Sequence, residues 1–246
     1  MINATKQRGR ARGLRRGCAV AIGAAAVVAG PGPATADVTY GPADGVDWNG
    51  YRIYLSPARH SNSGNRGECQ LEENVNGFLA ANNATNAEFQ DQHKNLRERG
   101  YKVRIGNGTV ATAIANSNSW GADLHIPLHS NAIPGVPCTH TSSGHGTWGI
   151  HEGNLFDQLL AQDLVGWIGE EQDGLGQASP GTGDRTCHTQ TCTAFDSLGE
   201  IRETDGVSAY MELEFHTWNT GAAYLANANR WSWRIPAAID TFLGSP

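Results

Sequence analysis

Apolar runs that close on polar clusters set the rhythm of the chain. Tyr51–Leu55 (YRIYL) ends at Ser56-Pro57, Tyr101–Ile105 follows, and Asp123–Ala132 (DLHIPLHSNA) closes on His129, Ser130 and Asn131. Each predicts a strand bounded by turn residues. Gly146–His151, Leu198–Glu203 and Ser208–Phe215 (SAYMELEF) predict three more. Helical patterns lie between them. One runs from Glu72 to about Arg99 and stops at Gly100, with Asn82, Asn83 and Asn86 marking a kink, and Val110–Ser117 is a short second. Asn154 caps the amphipathic stretch LFDQLLAQDLVGWIGEE, and Gly221–Leu243 is a closing helix interrupted near Pro236. This alternation predicts a single α/β domain over 51–246, a mostly parallel central sheet of about six strands flanked by helices.

The polar stretches add less regular parts. Asp37–Gly50 is rich in Gly, Pro and Asp and reads as an extended lead-in. Gln172–Leu198 is a longer loop than compact domains usually carry without purpose, and it either walls a substrate groove or is a rigid surface insertion. Residues 1–36 are excluded from the fold. Lys6, Arg8, Arg10, Arg12, Arg15 and Arg16, the short run Ala19–Gly30 and the small residues Ala34-Thr35-Ala36 predict a signal peptide cut before Asp37. The apolar run falls short of the roughly 20 residues that span a bilayer.

Export changes the charge and the cysteine chemistry. Without residues 1–36, twelve basic side chains face 24 acidic ones, a net charge of about −12. Nucleic acid and anionic membranes need clustered Lys and Arg, so neither is expected as a partner. Cys69, Cys138, Cys187 and Cys192 remain, an even number that reads as two disulfides with three connectivities open. Local closure of Cys187 with Cys192 would leave Cys69 to Cys138. A zinc half-site in CHTQTC is the alternative, but no second pair stands at ligand spacing.

Candidate chemistry gathers at strand ends, where open α/β sheets bind ligands. His129 ends the third strand and His60 lies in the polar loop after the first, while Glu72 and Glu73 open the first helix. Carboxylates at a helix start ordinarily serve the macrodipole, yet Glu72 shares a face with Asn76 and Leu79 while Glu73 points elsewhere. His125 reads as a satisfied core histidine, and His140, His145 and His151 as substrate contacts at most. Glu212 and Glu214 share a strand face by alternation, which is costly unless that face opens on water, a cation or a metal. His60, Glu72 and His129 make a three-ligand zinc set with one position open for water, and Glu212 is placed to carry a proton.

These residues resemble, in order and spacing, the zinc-dependent N-acetylmuramoyl-L-alanine amidases of the type 3 family. The resemblance spans nearly all of the chain after residue 36: a histidine after the first strand, a glutamate opening the first helix, a strand ending His-x-Asn-Ala, and a late Glu-x-x-Phe strand. It implies Zn2+ bound by His60, Glu72 and His129, Glu212 as the catalytic acid and base, and cleavage of the amide between N-acetylmuramic acid and L-alanine in peptidoglycan. The chain departs from the family at SPARHSN, where Asp-Pro-Gly-His-Gly is usual, and at Glu214, where glycine is common. A secreted, cell-wall-associated monomer is the expected form. Another exported zinc peptidase on the same scaffold and a non-catalytic wall-binding protein are the alternative expectations.

Overall fold

The computed structural model describes residues 37–56, 94–106, 108–133, 145–169, 179, 183–193, 195–227 and 231–244. Its centre is three parallel strands that the apolar runs anticipate: β2 (Arg52–Ser56), β4 (Leu124–Asn131) and β8 (Tyr210–Phe215). Around them lie β1 (Val38–Tyr40), β3 (Lys102–Ile105), β5 (Trp148–His151), β6 (Arg185–His188) and β7 (Val207–Ser208). The order across the sheet is β1-β3-β2-β4-β8-β5-β6, with β7 paired beside β4. The sheet is mixed but mostly parallel, as expected, with five parallel and two antiparallel pairings among the described residues, and it has eight strands where about six were expected. β1 runs antiparallel to β3, and the parallel pair β5–β6 joins the centre through an antiparallel contact with β8.

The side-chain alternation divides the sheet into two faces. Leu124, Ile126, Leu128, Met211 and Leu213 form one, and they belong to the main apolar core. Two helices cover it, α2 (Leu155–Ile168) and α6 (Arg234–Leu243). On α2 the buried apolar residues are Leu160, Ala161, Leu164, Val165 and Ile168, one stripe of a 3.6-residue period. Gly149 lets β5 approach α2, since a Cβ there would stand 2.8 Å from the Ala161 carbonyl oxygen and from Val165. The other face carries polar and aromatic side chains beneath α1 (Val110–Trp120) and two single-turn helices, α3 (Thr189–Cys192) and α4 (Gly199–Arg202).

Several expectations change. Leu198–Glu203, predicted as a strand, is the α4 turn, with Leu198 and Ile201 packed on Ile150 and Tyr210. Arg185–His188 is a strand inside the predicted loop, and the lead-in contributes β1 to the sheet edge. The SAYMELEF run breaks at Ala209 into β7 and β8. Most of the predicted 72–99 helix lies outside the described residues. Its end is a turn over 96–100, where Gly100 at φ 84° takes the left-handed conformation that stops a helix. The closing helix is interrupted before Pro236, giving α5 (Asn219–Ala226) and α6. Pro236 falls in the first turn of α6, where no amide donor is missed.

Candidate active site

Three strands deliver the polar face. Tyr54 on β2 is the register partner of His125 on β4, and His129 that of Glu212 on β8. The rings pair by stacking, Tyr54 on His125 with centroids 5.1 Å apart and His129 on Tyr210 at 4.6 Å with planes within 3°. Both histidines are buried, at 0% and 2% exposure. Helix α4 lays Glu200, itself 2% exposed, across them. Its Oε1 accepts the Ser56 hydroxyl at 2.5 Å and stands 3.4 Å from His125 Nε2, while Oε2 is 3.8 Å from His129 Nε2. Thr204 and Ser208 hydroxyls donate to the Glu200 carbonyl and fix the turn. Burial alone would push the Glu200 carboxyl up; the His125 and His129 imidazoles beside it outweigh that and hold it down at about 2.

The two acids of β8 part company. From His129 to Asn131, two steps of β4 face three steps of β8, Glu212 to Phe215, so β8 carries a bulge. The bulge resets the alternation. Phe215 meets Trp148, the antiparallel partner of Glu212, edge-on at 5.2 Å. Glu214 is fully buried and accepts the amide N–H of Gly146 at 2.7 Å, that of Phe215 at 2.8 Å, and the Ser179 hydroxyl. The expectation that both acids share an open face is therefore replaced by two separate environments, with Glu212 half-buried beside His129 and Glu214 spent on structure. Next to Glu212's strand, Ser130 Oγ pairs with His216 Nδ1 at 2.6 Å, and burial pushes the His216 pKa down.

A cleft of about 190 Å³ opens beside this cluster, lined by Val110, Phe195, Ser197, Leu198, Glu200 and Tyr210. Phe195 is 64% exposed at its rim. The Cys187–Cys192 disulfide closes just before this wall, and of the described residues of the expected loop Phe195, Ser197 and Leu198 line the cleft.

No protein-family model and no curated protein sequence matches the chain. Solved structures do. The catalytic domain of CwlV, an N-acetylmuramoyl-L-alanine amidase from Bacillus (Paenibacillus) polymyxa var. colistinus, matches with a TM-score of 0.54 over 80% of this chain and 99% of that one, at 14% identity. The amidase AmiC2 of Nostoc punctiforme gives 0.54 over 79% and 97% at 13% identity. Ami1 of Mycobacterium smegmatis gives 0.53 over 81% and 100% at 13%. The chain has the N-acetylmuramoyl-L-alanine amidase fold.

On the amidase fold the expected site residues are placed as follows. His129, near the carboxyl end of β4, stands in register with Glu212, the third of the six residues of β8. His60, Glu72 and Glu73 lie outside the described residues, as do His140 and the cysteines Cys69 and Cys138. His145 packs against Trp218 at 5.2 Å. His151 leaves β5 beside His188 on β6, and because those strands run against β4 it sits at the opposite end of the sheet from His129. His125 is the buried histidine that its pattern predicts, and its partner Glu200 is the residue that sequence reasoning missed. A histidine inside a buried strand needs a hydrogen-bonding partner, and that need was the available signal.

Among the described residues no three His, Cys, Asp or Glu side chains stand close enough to hold a metal ion; of the expected ligand set only His129 is described. The donors present fit zinc in kind. They are a buried imidazole and the buried Glu200 Oε2, which accepts no hydrogen bond among the described residues. No helix among the described residues is long and apolar enough to cross a membrane.

Proposed function

We propose that the chain is an exported zinc amidase that hydrolyses the amide joining the lactyl group of N-acetylmuramic acid to L-alanine in peptidoglycan. The observation that carries this is the register of His129 on β4 with Glu212 on the adjacent β8, on an amidase fold. His60, Glu72 and His129 would hold Zn2+, which when bound lowers the pKa of water to about 7 and polarises a carbonyl. Glu212 takes a proton from the attacking water. The water oxygen bonds to the amide carbon, and Glu212 returns the proton to the nitrogen as the carbon–nitrogen bond breaks. The products are a lactyl carboxylate and a stem peptide with a free L-alanine amine. Burial of His129 between Tyr210 and Glu200 keeps its ring fixed and bulk water away.

The test is zinc content per chain, measured beside mass analysis of what the protein releases from purified peptidoglycan. One zinc with new L-alanine amino termini is expected. Zinc with cleavage elsewhere would make it a different exported peptidase, and neither metal nor release would leave a wall-binding protein. Glu212→Ala should keep zinc and lose at least about 100-fold in kcat, the scale of a lost general acid–base group. His129→Ala should lose zinc and activity together.

A further inference from the structure

We infer that Arg185 is a specificity-determining residue: its guanidinium, laid on the face of Trp148, takes a carboxylate of the stem peptide one or two residues beyond the scissile amide. Which bond is cut rests on the proposed amidase; the placement of Arg185 rests on strand register. Register makes a single row across the sheet. His129 on β4 pairs with Glu212 on β8, Glu212 with Trp148 on β5, and Trp148 with Arg185 on β6. Side chains of directly paired residues rise from the same face of a sheet, so the row stands on one face. Exposure grows along it, from His129 at 2% through the half-buried Glu212 and Trp148 to the exposed Arg185 on the last strand of the sheet order. The row therefore leads from the proposed reaction centre to solvent.

Arg185 is held in a form that suits a carboxylate. Its Cζ lies 4.1 Å from the centroid of the Trp148 ring, and Phe215 meets the same indole edge-on at 5.2 Å. A guanidinium stacked on an aromatic face keeps its N–H donors in its own plane, where a carboxylate can take two of them. Nε donates to the Gly183 carbonyl at 3.5 Å, and no carboxylate pairs with Arg185 among the described residues. The adjacent acid is committed elsewhere, since Asp184 accepts the Thr147 amide at 2.6 Å. Spacing agrees with this role. Neighbouring strands lie about 4.8 Å apart, which puts the Arg185 backbone about 10 Å from Glu212 along the row, with its guanidinium against Trp148 between them. An extended peptide advances about 3.3–3.6 Å per residue, so a chain leaving Glu212 reaches that guanidinium within one or two residues. Charge decides which half of the substrate runs this way. The N-acetylated sugars of the glycan are neutral, whereas the stem peptide carries carboxylates, and a protein with a net charge of about −12 after residue 36 holds an anion only where a fixed cation meets it.

The experiment uses the full chain and two soluble N-acetylmuramoyl peptides, identical except that the residue after L-alanine carries free carboxylates in one and carboxamides in the other. Wild type should show a KM about 10- to 100-fold lower for the free acid, the worth of hydrogen bonds to a charged group, at similar kcat. That difference should collapse in Arg185→Gln. Arg185→Lys, which keeps the charge without the planar fork, should restore part of it. A merely structural role would raise KM for both substrates alike and overturns the inference, as does a wild type that does not distinguish them. Calorimetric binding of the free L-alanyl stem peptide separates this inference from the amidase reading. A wild type that cleaves neither substrate yet binds the peptide, with binding weakened at least about 10-fold in Arg185→Gln, sinks the amidase and keeps the carboxylate site. A wild type that neither cleaves nor binds overturns both, and peptide binding unchanged in Arg185→Gln overturns the inference. Should Arg185→Gln not fold, the wild-type preference between acid and carboxamide decides.

Discussion

Glu212 and Glu214 sit two positions apart with nearly the same chemistry, and their surroundings assign them different work. Glu214 satisfies two amides and one hydroxyl, so Glu214→Ala strands three buried donors and should cost about 3 kcal/mol in urea unfolding. Its loss should act on stability first, the reverse of Glu212→Ala. His216 gives the pH dependence a sign. Burial pushes its folded pKa below the ordinary value, so as pH falls from about 6.5 the unfolded chain binds the proton first and stability declines. Glu200, with a depressed folded pKa, contributes at all pH values above its ordinary 4.5 and loses that contribution only as pH falls toward about 2. Between pH 7.5 and 5.5 the urea midpoint of wild type should therefore drop, and that of His216→Gln should drop less. His129 was legible because a strand that ends on polar residues announces its exit. Glu200 was not, because an acid in a six-residue run read as a strand looks like its wet side until the buried histidines opposite it are known.

Elements were legible where local preference and burial agree. YRIYL, the Asp123–Asn131 run and the Asn154-capped helix all combine a clear period with a stop signal, and all three form as expected. The Asn154 side chain accepts the Phe156 amide at 2.9 Å, and Asn154→Ala should cost about 1 kcal/mol in thermal or urea unfolding. Leu198–Glu203 and Arg185–His188 were exchanged in kind, a strand for a helical turn and a loop for a strand. Both are too short for period to decide. Contacts decide instead: Leu198 and Ile201 dock on the Ile150 and Tyr210 cluster, and Arg185–His188 pairs residue for residue with β5. The bulge in β8 was invisible for the same reason, since alternation counts residues and cannot see one that is left over.

At the scale of the molecule, the two sheet faces divide the labour, with aliphatic packing on one and the histidine cluster with its cleft on the other. The disulfide serves the second face. Replacing both Cys187 and Cys192 with serine frees a short loop and should cost about 2 kcal/mol of stability. Because Phe195 and Ser197 follow the clip into the cleft wall, the same variant should raise KM for soluble muropeptides more than it lowers kcat.

The pairing of β4 also governs when this protein can exist in working form. Its neighbours come from opposite ends of the chain, Ile53 against Leu124 on one side and Met211 against Leu128 on the other. Every central contact thus closes a loop of many tens of residues, which makes folding slow and places it in the millisecond-to-second class or beyond. Glu200 and Glu212 arrive in the last fifth of the chain. A chain emerging from the ribosome therefore holds no assembled pairing of His129 with Glu212 until residues near Phe215 are free, so the centre of the sheet closes late.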